Sequence, residues 1–115
     1  MTKPKPAQVW LVRFPFSDLT ATKVRPALVL AVHREELIIL GIFSKMPVDA
    51  LRETWVVIEE DHPEFLQVGL KKTSLIRADK IATVHESVFQ RQLEILPSDI
   101  LMLVHEALKK ALCIS

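Results

Sequence analysis

The chain has 115 residues, with fifteen Lys and Arg against fourteen Asp and Glu, a formal charge of +1. That is one domain's length, enough to bury a core without staples, and it leaves no global field to draw the molecule onto nucleic acid or membrane. Half of the residues are hydrophobic and a quarter charged, which excludes a disordered or fibrous chain.

In chain order, residues 1 to 6 place Pro4 and Pro6 between lysines and predict a mobile lead-in to a single domain spanning residues 1–115. Val9 to Phe14 is β-prone and ends at Pro15, which has no backbone donor. The small polar residues from Ser17 to Lys23 predict a surface loop with free hydroxyls. Pro26 to Val32 and Leu37 to Phe43 are apolar runs of about seven residues, far short of the ~20 that cross a bilayer. Both are rich in Leu, Ile and Val, so they predict strands buried on both faces, paired as a hairpin through His33-Arg34-Glu35-Glu36. Pro47 ends any extension of the third strand, Thr54 to Ile58 resumes as a strand, and two more strands are expected at 73–77 and 80–85. Pro97 and Asp99 open a helix over 97–113. Its wheel puts Ile100, Leu101, Leu103, Val104, Ala107, Leu108, Ala111 and Leu112 on one half. The expected class is β-dominated α+β, one sheet or small barrel with a terminal helix.

Several chemistries drop out. One cysteine and four scattered histidines, His33, His62, His85 and His105, give no paired metal-ligand spacing, and no cofactor is expected. The acidic turn Glu59, Glu60, Asp61, Glu64 reads as a solvated loop. Only Gly41 and Gly69 are glycine, so no Gly-rich phosphate cradle is present. Cys113 reads as an ordinary helix-end residue; it cannot form an internal disulfide. No apolar stretch of signal-peptide length follows the amino terminus, and the expected compartment is a reducing cytoplasm with no membrane attachment.

What remains is the junction Thr22-Lys23-Val24-Arg25-Pro26. Pro26 holds Arg25 in extended backbone and so limits where its guanidinium points. A guanidinium so fixed matches phosphate oxygens in pairs and stays charged. The structural alternative is that Arg25 pairs with an internal carboxylate such as Asp79. Ser44, just past the third strand, emerges near Arg25 if strands two and three form a hairpin.

The blocks Val9-Trp10-Leu11-Val12-Arg13-Phe14-Pro15-Phe16-Ser17, Arg25-Pro26-Ala27-Leu28-Val29-Leu30 and Gly41-Ile42-Phe43-Ser44-Lys45 occur in an order that resembles the MazF/PemK toxin family. Gly69-Leu70, the stretch from Thr73 to Thr83 and Pro97-Ser98-Asp99 extend the resemblance over nearly the whole chain. It implies an SH3-like barrel with a C-terminal helix, usually a homodimer. It also implies metal-independent cleavage of single-stranded messenger RNA, silenced by a cognate antitoxin with an acidic segment. Carried over by position, Arg25 and Ser44 are the catalytic pair. The loop residues Ser17 and Thr20 are expected substrate contacts, and Lys23 and Lys45 either add positive potential along the strand or are ordinary solvated lysines. No general base is evident, Asp18 being the nearest candidate by chain position and His33 a weaker one. The chain departs from the family pattern at Ala7-Gln8, where a Gly-acidic pair is usual, at Ser44, where Thr is common, and in a first loop without glycine. Two other functions stay open. One is a member that keeps the fold without cleaving RNA; the other is a protein-binding poison like the gyrase toxin CcdB, although that toxin's terminal Trp-Gly-Ile has no counterpart in Leu112-Cys113-Ile114-Ser115.

Overall fold

The computed structural model describes residues 3–14, 23–44, 52–59 and 73–114. The strands are β1 (Gln8–Phe14), β2 (Lys23–His33), β3 (Glu36–Phe43), β4 (Trp55–Ile58), β5 (Ser74–His85) and β6 (Phe89–Ile95), with one helix, α1 (Ser98–Ala111). They form a six-stranded antiparallel sheet in the order β4-β5-β3-β2-β1-β6. The β-dominated architecture with a terminal helix is as the sequence predicts. Among the described residues β4 and β6 are the two ends of the sheet, and no pairing joins them.

The two apolar runs are the centre of the sheet. Leu28, Leu40 and Ile42 face one buried cluster with Val9, Val56, Ile58 and Ile76, closed by Ile100, Val104 and Ala107 of α1. Ala27, Val29, Leu37 and Ile39 face a second cluster with Trp10, Val12 and Val84. Strict alternation along β2 and β3 sends neighbouring residues to opposite sides, and both sides are apolar because both are covered. On α1 the predicted half-wheel is too wide. Leu101, Leu108 and Ala111 pack against the first cluster, whereas Leu103 and Leu112 are exposed because the sheet accepts only a narrower stripe.

Three local details depart from the sequence expectations. The strands expected at 73–77 and 80–85 are a single strand, β5, with an irregularity: Leu40 pairs with Ile81 but Gly41 pairs with Arg77. Ala78, Asp79 and Lys80 therefore have no opposite residues on β3, and the Ala78 N–H donates instead to the Thr54 carbonyl at 2.9 Å. This is a bulge that bends one strand where the sequence suggested a break. The second detail is β6, which the sequence reading did not anticipate: Phe-Gln-Arg-Gln-Leu-Glu-Ile is polar enough for a sheet end, where one face meets water. It follows a single 3₁₀ turn at Glu86–Val88. The third is the helix start, where Pro97 is the extended residue before the first turn and not a residue inside it.

Ala7 and Gln8 fasten the entry to β1. Ala7 adopts φ 74°, its N–H donates to the Val29 carbonyl at 3.0 Å, and its carbonyl accepts from the Leu96 N–H at 2.8 Å. A glycine would adopt that backbone without a Cβ penalty. The Gln8 side chain is buried, and its Oε1 accepts from both the Trp10 indole N–H and the Lys5 backbone N–H, each at 2.9 Å. The neutral amide thus ties Lys5 and Trp10 to the start of the sheet.

Candidate functional site

Arg25 lies on β2 opposite Val12 of β1, and its half-buried side chain sits with Cζ 5.6 Å from the centroid of the Phe43 ring. The β2–β3 ladder ends at Ala27↔Gly41, next to Pro26, which has no N–H to donate; β1 continues to pair along β2 as far as Lys23. Arg25 and Phe43 therefore meet beyond the last ladder pair, through guanidinium and ring, an arrangement that restrains the cation. Their face of the sheet is the one that Ala27 and Val29 share, opposite the face that α1 covers.

Ser44 follows Phe43 directly, is exposed, and lies in a bend at the end of β3. The hairpin that the sequence predicts thus brings Arg25 and Ser44 to the same end of the central strands. Lys23 is the first residue of β2, its backbone paired with Phe14. Ser17, Asp18, Thr20 and Lys45 lie outside the described residues. Among the described residues no carboxylate lies within ion-pair distance of Arg25, and Asp79, the alternative partner considered from the sequence, belongs to Arg77.

Asp79 organises a second group that the sequence reading missed. The Arg77 fork donates to its carboxylate from Nε at 3.2 Å and from its terminal nitrogen at 2.7 Å, and the Trp55 indole N–H donates to Oδ1 at 3.0 Å. The Trp55 ring in turn carries Arg77 with Cζ 4.7 Å from its centroid, and Arg52 at 5.6 Å. Partial burial works against the Asp79 charge. The hydrogen bond and the positive charge of Arg77 outweigh it, with help from the residue's own backbone N–H and the Trp55 indole, and the carboxyl titrates below its ordinary value. The sequence signal was the Arg77-x-Asp79 spacing, which puts two residues on one side of a strand, together with an aromatic on the adjacent strand.

Elsewhere, a pocket of about 400 Å³ is lined by Lys3, Pro4, Trp10, His85, Glu86, Ser87, Phe89 and Gln90. On its rim His85 Nδ1 accepts from the Ser87 N–H at 3.1 Å and lies 2.9 Å from its Oγ, while Nε2 is 3.9 Å from Glu35. This string of Ser, His and Glu caps the 3₁₀ turn, since both Ser87 contacts are two residues from the ring that receives them. Among the described residues no three His, Cys, Asp or Glu side chains gather as a metal ion requires, and no helix is long and apolar enough to cross a membrane.

Comparison with known proteins adds sequence and fold. The family model described as PemK-like, MazF-like toxin of type II toxin-antitoxin system matches residues 5–112. Among solved structures, the Mycobacterium tuberculosis toxin MazF-mt6 is 18% identical, with a TM-score of 0.74 over 94% of this chain and 98% of that one. MazF from Deinococcus radiodurans is 21% identical, with a TM-score of 0.73 over 99% of this chain and 100% of that one. An endoribonuclease in complex with its cognate antitoxin, from a mycobacterial species, is 19% identical, with a TM-score of 0.70 over 97% of both chains. At these identities the structural likeness establishes the fold alone. A search of curated proteins gives no match.

Proposed function

This chain belongs to the PemK-like, MazF-like toxin family of type II toxin–antitoxin systems, and we propose that it is a metal-independent endoribonuclease acting on single-stranded messenger RNA. The observation that carries this reading is Arg25, a guanidinium restrained over Phe43 at the sheet end where Ser44 follows β3, with no carboxylate of a described residue to neutralise it. The fold that goes with it is an SH3-like barrel, which a sheet with buried clusters on both faces supports. The solved endoribonuclease in complex with its cognate antitoxin is a precedent for a partner of that class. For this chain the proposed partner is an antitoxin with an acidic segment that binds the cationic region around Arg25. A homodimer in the cytoplasm completes the proposal.

In the reaction, the ribose 2′-oxygen attacks the adjacent phosphorus and its proton passes to a base. The bond from phosphorus to the 5′-oxygen then breaks, that oxygen takes up a proton, and a 2′,3′-cyclic phosphate remains. Arg25 meets the negative charge that grows on the non-bridging oxygens, where a preorganised donor acts most strongly. The Ser44 hydroxyl orients the same phosphate. Asp18 is the proposed base, and Ser17, Thr20, Lys23 and Lys45 line the path of the strand. Each phosphate contacted by a lysine makes binding salt-dependent.

The test is cleavage of a single-stranded RNA by purified protein in EDTA. Arg25→Ala is expected to lower the rate by about a hundred-fold or more, with an unchanged thermal unfolding midpoint. A variant that cuts as fast as the parent would remove Arg25 from the mechanism.

A further inference from the structure

We propose that Trp55, framed by Arg52 and Arg77, is a stacking shelf for a nucleobase of the strand held at Arg25. The proposal rests on the ribonuclease reading and names how the strand is gripped away from the scissile phosphate. Register puts the two groups on one face. Arg77 is opposite Gly41 on β3 and opposite Trp55 on β4, while Gly41 lies two residues from Phe43, the ring under Arg25. Residues two apart on a strand share a face, so Arg25, Phe43, Arg77 and Trp55 all lie opposite the side that α1 covers. From β2 to β5 is two strand spacings, on the order of 10 Å, with one further spacing to β4. A single strand tracking a groove covers such a span with a few nucleotides.

The chemistry selects the occupant. Asp79 already fills the Nε edge of Arg77, so this guanidinium has one fork fewer to give to a carboxylate or a phosphate. What the group offers besides is planar: the half-buried indole at the sheet's end, with Cζ of Arg77 and of Arg52 4.7 and 5.6 Å from its centroid. Bases stack on such surfaces without regard to sequence. The hydrogen bond from the indole N–H to Asp79 and the contact with Arg77 fix the ring before any ligand arrives, which reduces the ordering needed on binding. Two guanidiniums against one carboxylate leave the cluster cationic, as a polyanion requires.

The experiment titrates the protein with a single-stranded 2′-deoxy oligonucleotide, which binds without offering the attacking hydroxyl, and follows tryptophan emission. The chain has two tryptophans, and Trp10 is buried with its N–H on Gln8. Quenching is expected in the parent and lost in Trp55→Phe, which keeps an aromatic ring and so keeps most of the affinity. Trp55→Ala is expected to weaken binding roughly tenfold or more, measured at a temperature where the variant is folded. That loss should vanish for an oligonucleotide with an abasic site at one position, found by moving the site along the strand.

An equal loss for every abasic oligonucleotide would mean that Trp55 only braces the sheet, and the shelf falls. It falls too if quenching persists in Trp55→Phe, or if an acidic peptide quenches Trp55 and the oligonucleotide does not. RNA cleavage by the parent and by Arg25→Ala is scored separately. Cleavage without Trp55-dependent binding overturns the shelf alone; Trp55-dependent binding without cleavage upholds the shelf and overturns the ribonuclease reading.

Discussion

Asp79 does at short range what Arg25 lacks among its described neighbours: it pairs a guanidinium and offsets its charge. Because its carboxyl titrates below the ordinary value, the charged form is favoured by folding. The stability it adds is present above the unfolded pKa and is lost as pH falls through the lower, folded one. Asp79→Asn should therefore lower the urea midpoint at pH 7 and lose less on acidification to about pH 3 than the parent does. Parallel losses in parent and variant would show that the carboxylate is not linked to folding. Arg25 was legible in the sequence because Pro26 and the polar stretch before it mark one place in the chain. The group around Trp55 was not. Trp55 and Asp79 are 24 residues apart, and nothing but the β4–β5 register brings them together.

At the scale of elements, the strongly apolar pieces were readable, and the ends and corners were less so. Central strands declare themselves by continuous Val, Ile and Leu, and α1 by its periodicity, whereas β6 carries neither signal and owes its pairing to β1. Backbone corners are usually announced by glycine. Here the three described non-glycine residues at positive φ are Ala7 (74°), Arg34 (60°) and Cys113 (59°). Arg34 and Glu35 form the two-residue connection between β2 and β3, where the closing pair is His33↔Glu36. Cys113 ends α1: its N–H donates to the Lys110 carbonyl at 3.2 Å, and the next N–H, of Ile114, reaches back to Lys109 at 3.0 Å. That pattern ordinarily takes glycine at its left-handed residue. Ala7→Gly and Cys113→Gly should each raise stability by about 1 kcal/mol, and their separation in the fold makes the gains additive. Thermal unfolding of the two single variants and the double variant measures this. A midpoint that falls in either single variant would show that the Cβ packs favourably where strain is expected.

For the whole molecule, the class, the first four strands and the terminal helix were readable in chain order, while closure of the core depended on distant partners. The first cluster joins Val9 to Ala107, and the second joins Trp10 to Val84, so neither is complete until both halves of the chain are in place. The pairings β1 with β6 and β3 with β5 close long loops, whereas β2 with β3 closes over two residues. Loop-closure entropy makes the central hairpin the pairing with the least to lose on forming. It is also flanked by strands on both sides and covered on both faces, unlike β4 and β6 at the ends of the sheet. A clock follows from this map. Amide hydrogens of Leu28, Val29, Ile39 and Leu40 should be the last to exchange with deuterium in the native protein, opening only with global unfolding, while those of β4 and β6 exchange earlier through local fraying. Residue-resolved exchange measurements would read that order, and fast exchange in the hairpin would contradict it. The cation proposed to meet the phosphate thus sits on the strand whose interior keeps time slowest, and the indole proposed to meet the base sits on one that keeps it fast.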